Sequence, residues 1–204
     1  MTKEEYLDFN KVLYERELES RDRILSRTNI PIAILTAYIG ALIYVIQKVN
    51  VEAMVEPSYY GLFFTLALYF TIVPLITSIW FMINVFGGVD GHSYLMIPTS
   101  KVIDEYKIKL DDHYREYEGV SQVEFYKYLL SEYQKCASEN AKTNDHRSKE
   151  LQRCTAQSFY VIIPLCMLFL LFSFSPLNKE NKKDAAKQLN VNERCELIFY
   201  RNKE

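Results

Sequence analysis

Glycine, histidine and tryptophan are scarce: six, three and one among 204 residues. No Gly-rich phosphate cradle, HExxH zinc helix or GxSxG elbow occurs. The Arg-to-His spacing of the HEPN ribonucleases is missing too. Asp111, Asp112 and His113 are adjacent and point apart on a helix, while His92 and His146 have no ligand spacing around them, so no metal or other cofactor is expected. The four cysteines, Cys136, Cys154, Cys166 and Cys195, form no CxxC pair. Free, mostly buried thiols suit them better than a disulfide framework. With 24 Lys and Arg against 26 Asp and Glu, the chain lacks the basic excess of a nucleic-acid binder, and no direct nucleic-acid contact is expected.

The most informative absence is local. A mean hydropathy of −0.12 suits a water-soluble protein, yet three blocks, 28–47, 57–89 and 154–178, contain no Asp, Glu, Lys, Arg or His. A bilayer core about 30 Å thick is spanned by roughly 20 apolar residues of helix, so each block is long enough. A wholly soluble protein is excluded, as is disorder, because apolar residues make up 49% of the chain. The fold predicted is all-α: a helical integral membrane protein of three transmembrane helices plus a cytosolic helical hairpin. Its segments are a cytosolic amphipathic helix (1–27), spans at 28–47 and 59–86, a short external loop (48–58), the hairpin (87–153), a span at 155–177 and a polar tail (178–204). The third block is read as spanning rather than re-entrant, because an uncharged stretch of that length is costly to leave in water. The start reads as an uncleaved anchor, since the first apolar block is preceded by six basic and seven acidic residues. With the N-terminus inside, 16 basic residues lie in the cytosol and 8 outside, and the reverse orientation exchanges those counts. The tail is the discordant part.

Within 1–27, Leu7, Tyr14, Leu18 and Leu25 keep heptad spacing and Tyr6, Phe9 and Leu13 form a second row. This helix is read as packing on its own protein rather than lying on lipid, because its polar face carries both charge signs. Asn29 and Pro31 suit the start of a new helix or a kink. In the first span, Ala33, Ala37 and Ala41 with Thr36 and Gly40 form a small-residue face, the kind that lets helices approach closely. The neighbouring span is its first choice of partner, a second subunit the other. Pro74 interrupts the second span, with Thr71, Thr77 and Ser78 near enough to satisfy a freed carbonyl.

In the hairpin, Ile103, Tyr106, Leu110, Tyr114 and Tyr117 follow one helical face, Gly119 breaks it, and Ser121 with Glu124 matches a capping box. Val123, Tyr126, Leu130 and Tyr133 form the facing stripe, and the second helix can continue into the third span. The tyrosines read as a small helix-pair core, with a surface for a cytosolic protein partner as the alternative. Asn140, Asn144 and Arg147 share one helical face. Together they can hold a carboxylate, a phosphate or backbone carbonyls; Asn144 and Arg147 suit hydrogen bonds to the facing helix or to the loop after Phe86, with a small ligand or partner, or a solvated face, as the alternatives. No nucleophile–base pair lies in or near a span, so no catalytic residue is assigned.

The lead-in 15–27, the span directly after it, the second span after a short loop, and the helical part ending in Asn140, Asn144 and Arg147 resemble the SMODS- and SLOG-associating transmembrane effectors of bacterial phage-defence loci. The resemblance covers roughly residues 10–150, and the third span departs from that two-span plan. A second resemblance is to the membrane accessory proteins of type VI-B CRISPR systems. These resemblances imply a bacterial inner-membrane protein, multi-pass, with a cytosolic N-terminus. It would oligomerise in the lipid bilayer and disrupt it, or tune a nuclease, when a cytosolic partner signals.

Overall fold

The computed structural model describes residues 1–49, 59–87, 93–117 and 119–174. The loop 50–58, Asp90, Gly91, His92, the last residues assigned to the third span, and the tail 178–204 with Cys195 lie outside the described residues. The chain is 89% helical among those described, with no strand. Its helices are α1 (Lys3–Arg27), α2 (Asn29–Lys48), α3 (Tyr59–Val85), α4 (Ser100–His113) and α5 (Val120–Phe174). Three helical stretches, containing α2, α3 and α5, are long and apolar enough to cross a membrane. In the most apolar part of α3 only 22% of the residues are buried, so most of its hydrophobic surface needs hydrocarbon around it. The elements divide into two compact units, a polar one of Met1–Asn29 with Phe81–Arg153 and an apolar one of Ile30–Trp80 with Cys154 onward.

The helix ends have local causes. Thr2 caps α1 in a complete capping box: its hydroxyl accepts from the Glu5 amide at 3.2 Å, and its amide donates to the Glu5 carboxylate at 2.7 Å. Thr28 ends α1, its amide and hydroxyl both donating to the Leu25 carbonyl at 3.1 and 2.7 Å. Pro31 then falls in the first turn of α2, where its missing N–H costs nothing. Gly119, at φ +79°, turns the chain into α5. The helix therefore begins before Ser121, which is not its cap; the Ser121 hydroxyl instead donates to Asp111 across the turn. The second helix of the hairpin does run on into the third apolar block, as one helix of 55 residues.

Buried positions keep one period throughout. Along α1 and α2 they fall at Asn10, Tyr14, Ile24, Thr28, Pro31, Leu35, Leu42, Val45 and Val49, with half-buried Glu17, Arg21 and Tyr38 in the gaps. The steps alternate four and three, the 3.5-residue repeat of a coiled-coil seam. Phe9 lies off this seam and is exposed. α3 repeats the pattern at Gly61, Phe64, Thr71, Leu75, Ser78, Met82 and Val85. α5 carries it from Asn140 through Asn144, Arg147, Leu151, Cys154, Ser158, Val161, Leu165 and Leu168 to Phe172.

That seam explains where the small-residue face goes. Ala33, Thr36, Ala37 and Gly40 fall between the seam positions and are exposed, and Ala41 is half-buried. Nothing lies within 4 Å of a Cβ built on Gly40. The face therefore does not receive the neighbouring span; large residues, Leu35, Leu42 and Val45, make that contact side. The Pro74 expectation is also revised. Thr77 and Ser78 donate to the carbonyl of Pro74 itself, at 2.9 Å each, and Thr71 donates to Ala67. None serves Phe70, whose carbonyl Pro74 frees.

In the polar unit α1 and α5 run parallel. Tyr6 pairs with Gln134, Glu17 with Asn144, and Ile24 meets Leu151 beside Val85, a near-constant offset of 127–128 residues. Leu151→Ala should cost about 2–5 kcal/mol, because it empties the junction of three helices; thermal unfolding in detergent measures it. The whole chain should stay in the membrane pellet through high salt and alkaline carbonate, and leave it only with detergent.

Candidate functional site

Asn140, Asn144 and Arg147 do come together, and what they hold is the extended segment after α3. Residues 93–98 have no helical bonds to satisfy them, so their backbone groups need other partners. Asn140, fully buried, clasps Leu95 from both sides: its Oδ1 accepts from the Leu95 amide at 2.8 Å and its Nδ2 donates to the Leu95 carbonyl at 3.0 Å. Asn144 spends its amide on α1, donating to the carbonyl and the carboxylate of Glu17, both at 2.8 Å. Its Oδ1 accepts from the Tyr94 hydroxyl at 2.5 Å. The Arg147 guanidinium lies over the Tyr94 ring, 4.6 Å from its centroid, and that of Arg21 lies 5.5 Å from it. Each such stack contributes about 0.5–2 kcal/mol.

The chain that delivers this segment is shaped to fit. Gly87 ends α3 at φ +121°, a conformation that side-chain residues rarely adopt, and a Cβ there would stand 3.5 Å from an Arg147 nitrogen. Met96 reaches α1, its sulfur accepting from the Tyr14 hydroxyl at 3.4 Å. Tyr14 packs edge-on to Tyr133, with centroids 6.0 Å apart. One turn beyond Arg147, buried Glu150 accepts from Arg153 at 2.6 Å and from Asn84 at 3.5 Å. The polar face thus reads as a fastening that binds α1, α3, the 93–99 segment and α5 into one unit. Glu17, Arg21, Tyr94 and Glu150 belong to it and were not picked out from the sequence. A 3.5-residue count from Tyr14 reaches Glu17 and Arg21, whereas nothing local marks Tyr94.

Burial pushes the Tyr94 phenol above its ordinary value, and Arg147 and Arg21 pull the other way. The net direction is upward. Burial likewise raises the Cys136 thiol, helped by Glu132 and opposed by Lys135. Cys136 and Cys154 are buried free thiols, and Cys166 is an exposed one. Among the described residues no three His, Cys, Asp or Glu side chains gather.

The hairpin forms the expected helix-pair core only in part: Ile103, Leu110, Tyr114, Tyr126, Leu130 and Tyr133 are half-buried, while Val123 and Tyr117 are exposed. α4 has no buried residue at all. Tyr106 stacks on Tyr128 with centroids 4.2 Å apart, but Val102, Ile108 and Tyr117 stay exposed, Ile108 at 67% and Tyr117 at 64%. Each unit also carries a groove. In the apolar unit α3 and α5 flank an open groove of about 760 Å³ lined by residues including Phe70, Pro74, Tyr160 and Pro164, with no charged side chain. In the polar unit α1 and α5 flank a polar groove of about 380 Å³. No family model, curated protein or solved structure matches the chain.

Asn140→Leu keeps the branching of the side chain but strands the Leu95 amide and carbonyl, at about 1–3 kcal/mol for each group. The expected outcome is a lower unfolding temperature and faster amide exchange across 93–99. Tyr94 gives a pH test. Its neutral form is the one the fold prefers, so its contribution is intact below pH about 10 and declines as pH rises through the range where the unfolded phenol ionises. Alkaline unfolding of Tyr94→Phe should show a shallower decline than that of the parent chain.

Proposed function

We propose that this chain is a non-enzymatic inner-membrane effector of bacterial antiviral defence. In this reading the polar unit and the N-terminus face the cytosol, as the balance of Lys and Arg favours. A cytosolic partner binds the hairpin, and the spans of several subunits then permeabilise or remodel the bilayer. The observation that carries the reading is α4, a helix with no buried residue, which together with the turn after it leaves Val102, Ile108 and Tyr117 open. Exposed apolar and aromatic side chains of that kind are what a protein partner covers. The outward small-residue face of α2, Ala33, Ala37 and Gly40, is available to a second copy within the bilayer.

The same α4 surface supports a second reading, a membrane-anchored accessory subunit that recruits or tunes a soluble nuclease of the CRISPR type. Co-expression with proteins encoded beside it, read with a potential-sensitive dye and by co-purification in detergent, separates the two. Depolarisation upon partner activation supports the effector, and a stoichiometric soluble partner without leak supports the anchor. The double substitution Ile108→Asp with Tyr117→Asp should abolish both partner capture and depolarisation while moving the unfolding temperature by no more than a few degrees, since both side chains are solvent-exposed. Retained capture would remove α4 from the interface.

A further inference from the structure

Two prolines of the apolar unit line one groove. On α3 the groove runs from Phe63 to Pro74, and on α5 from Tyr160 to Leu171, walls of equal length. Tyr60, just before the first wall, shares a smaller hollow with Phe174, just after the second. The helices are therefore antiparallel here, so that Pro74 stands level with Tyr160 and Phe70 with Pro164. The same motif, an aromatic residue four positions before a proline, thus lies on both helices, related by a local two-fold axis. A proline lacks the N–H to which the carbonyl four residues earlier would be bonded. The carbonyls so freed are those of Phe70 and Tyr160, each beside its proline on the groove side of its helix. In hydrocarbon a freed carbonyl needs a neighbouring donor. Among the described residues no side chain supplies one: Thr77 and Ser78 donate to Pro74, and Ser158 to Cys154.

We propose that this groove binds a lipid-soluble hydroquinone, a para-diol ring on an apolar chain, in preference to the oxidised quinone. One hydroxyl donates to the Phe70 carbonyl and the other to the Tyr160 carbonyl. The complementarity is electrostatic. Both freed oxygens are negative ends of peptide dipoles, so they take the positive hydrogens of donors. They face from opposite walls, so the ligand carries a donor at each end. No charged side chain lines the groove, so an ionised ligand would be buried without a counter-charge, and the ligand is neutral. The lining is apolar and aromatic, which suits a flat apolar ring. The distances agree. Helix axes packed about 8–10 Å apart, with backbones about 2.3 Å from each axis, leave the two oxygens about 4–10 Å apart. The hydroxyls of a para-diol stand about 5.5 Å apart, and a hydrogen bond of about 2.8 Å at each end adjusts to that range. A quinone presents only acceptors, so it leaves both freed carbonyls unpaired. No electron moves in this binding step; the site distinguishes the two forms by their O–H bonds. The inference rests on the apolar unit lying in hydrocarbon and not on the effector reading, and binding is measured apart from depolarisation.

The test is calorimetric titration of the full chain in detergent with three probes: decylhydroquinone kept reduced, its monomethyl ether, and decylquinone. The hydroquinone should bind at least tenfold more tightly than the quinone, with the ether between them, as two neutral hydrogen bonds allow. Pro74→Ala and Pro164→Ala each restore one N–H, so each occupies one freed carbonyl from within its own helix. Either single variant should bind the hydroquinone no better than the parent binds the ether. The double variant should bind it no better than the quinone. Unfolding temperature checks that each variant is folded, and if the double variant is not, the two single variants decide. Equal affinity of the parent for quinone and hydroquinone overturns the proposal, because the groove then takes any apolar chain. A hydroquinone preference unchanged in the folded proline variants overturns it too. So does a detergent-resistant dimer that blocks hydroquinone binding, since a second copy then fills the groove.

Discussion

A single helix in this protein has to serve two solvents. α5 runs for 55 residues without a break, and its buried seam keeps the same four–three step from Asn140 to Phe172. The geometry of the seam is constant while its chemistry changes. Asn140, Asn144 and Arg147 come first, Leu151, Cys154 and Ser158 follow, and Val161, Leu165, Leu168 and Phe172 finish it. In water the hydrophobic effect holds apolar residues in such a seam. In hydrocarbon that drive is absent, and close packing with internal hydrogen bonds takes over. Placing the polar residues at the water-facing end reverses the usual assignment, and it works because each has a designated partner.

Those partners account for the specificity of the polar unit. A Leu seam would hold α1 against α5 in several registers. The Glu17–Asn144 bonds and the Tyr94 ring beneath Arg21 and Arg147 have good geometry in only one. Buried polar groups are costly when stranded and specific when satisfied. The 93–99 segment depends on the same logic, because it has no ladder or helix of its own and Asn140 supplies both bonds that Leu95 lacks. α4 stands at the other extreme. Tied by Tyr106 on Tyr128, by Ser121 to Asp111 and by little buried surface, it belongs to the low-stability end of the structure, where elements that change on binding are found.

Much of this was legible in the residues. Uncharged runs such as 57–89 are hard to misread, since they are set by composition rather than by packing. The helix break near Asn29, the continuity of the hairpin with the last span and the bonds of Asn144 to the facing helix and to the segment after α3 were also readable, the last from three polar residues on one face, whereas the clasp of Asn140 on Leu95 was not. Other features followed from positions that only a partner defines. The alanines of α2 look like an interface by size, yet Leu35, Leu42 and Val45 hold the seam because Thr28 and Pro31 set its phase. The tyrosines of the hairpin have the right period for a core, but Tyr114, Tyr126 and Tyr133 are only half-buried, Tyr117 is exposed, and α4 buries none of its own residues fully. Ser121 and Glu124 have capping-box spacing, and Gly119 started the helix first.

The sequence by itself determined that the chain is helical and that three stretches are long and apolar enough to cross a membrane, because helix period and the cost of unpaired charge act on neighbours along the chain. Tertiary structure decided what the polar face of α5 is for. Tyr94, Glu17 and Arg147 lie 53 or more residues from one another along the chain, and only the parallel pairing of α1 with α5 puts one aromatic ring under two guanidinium groups.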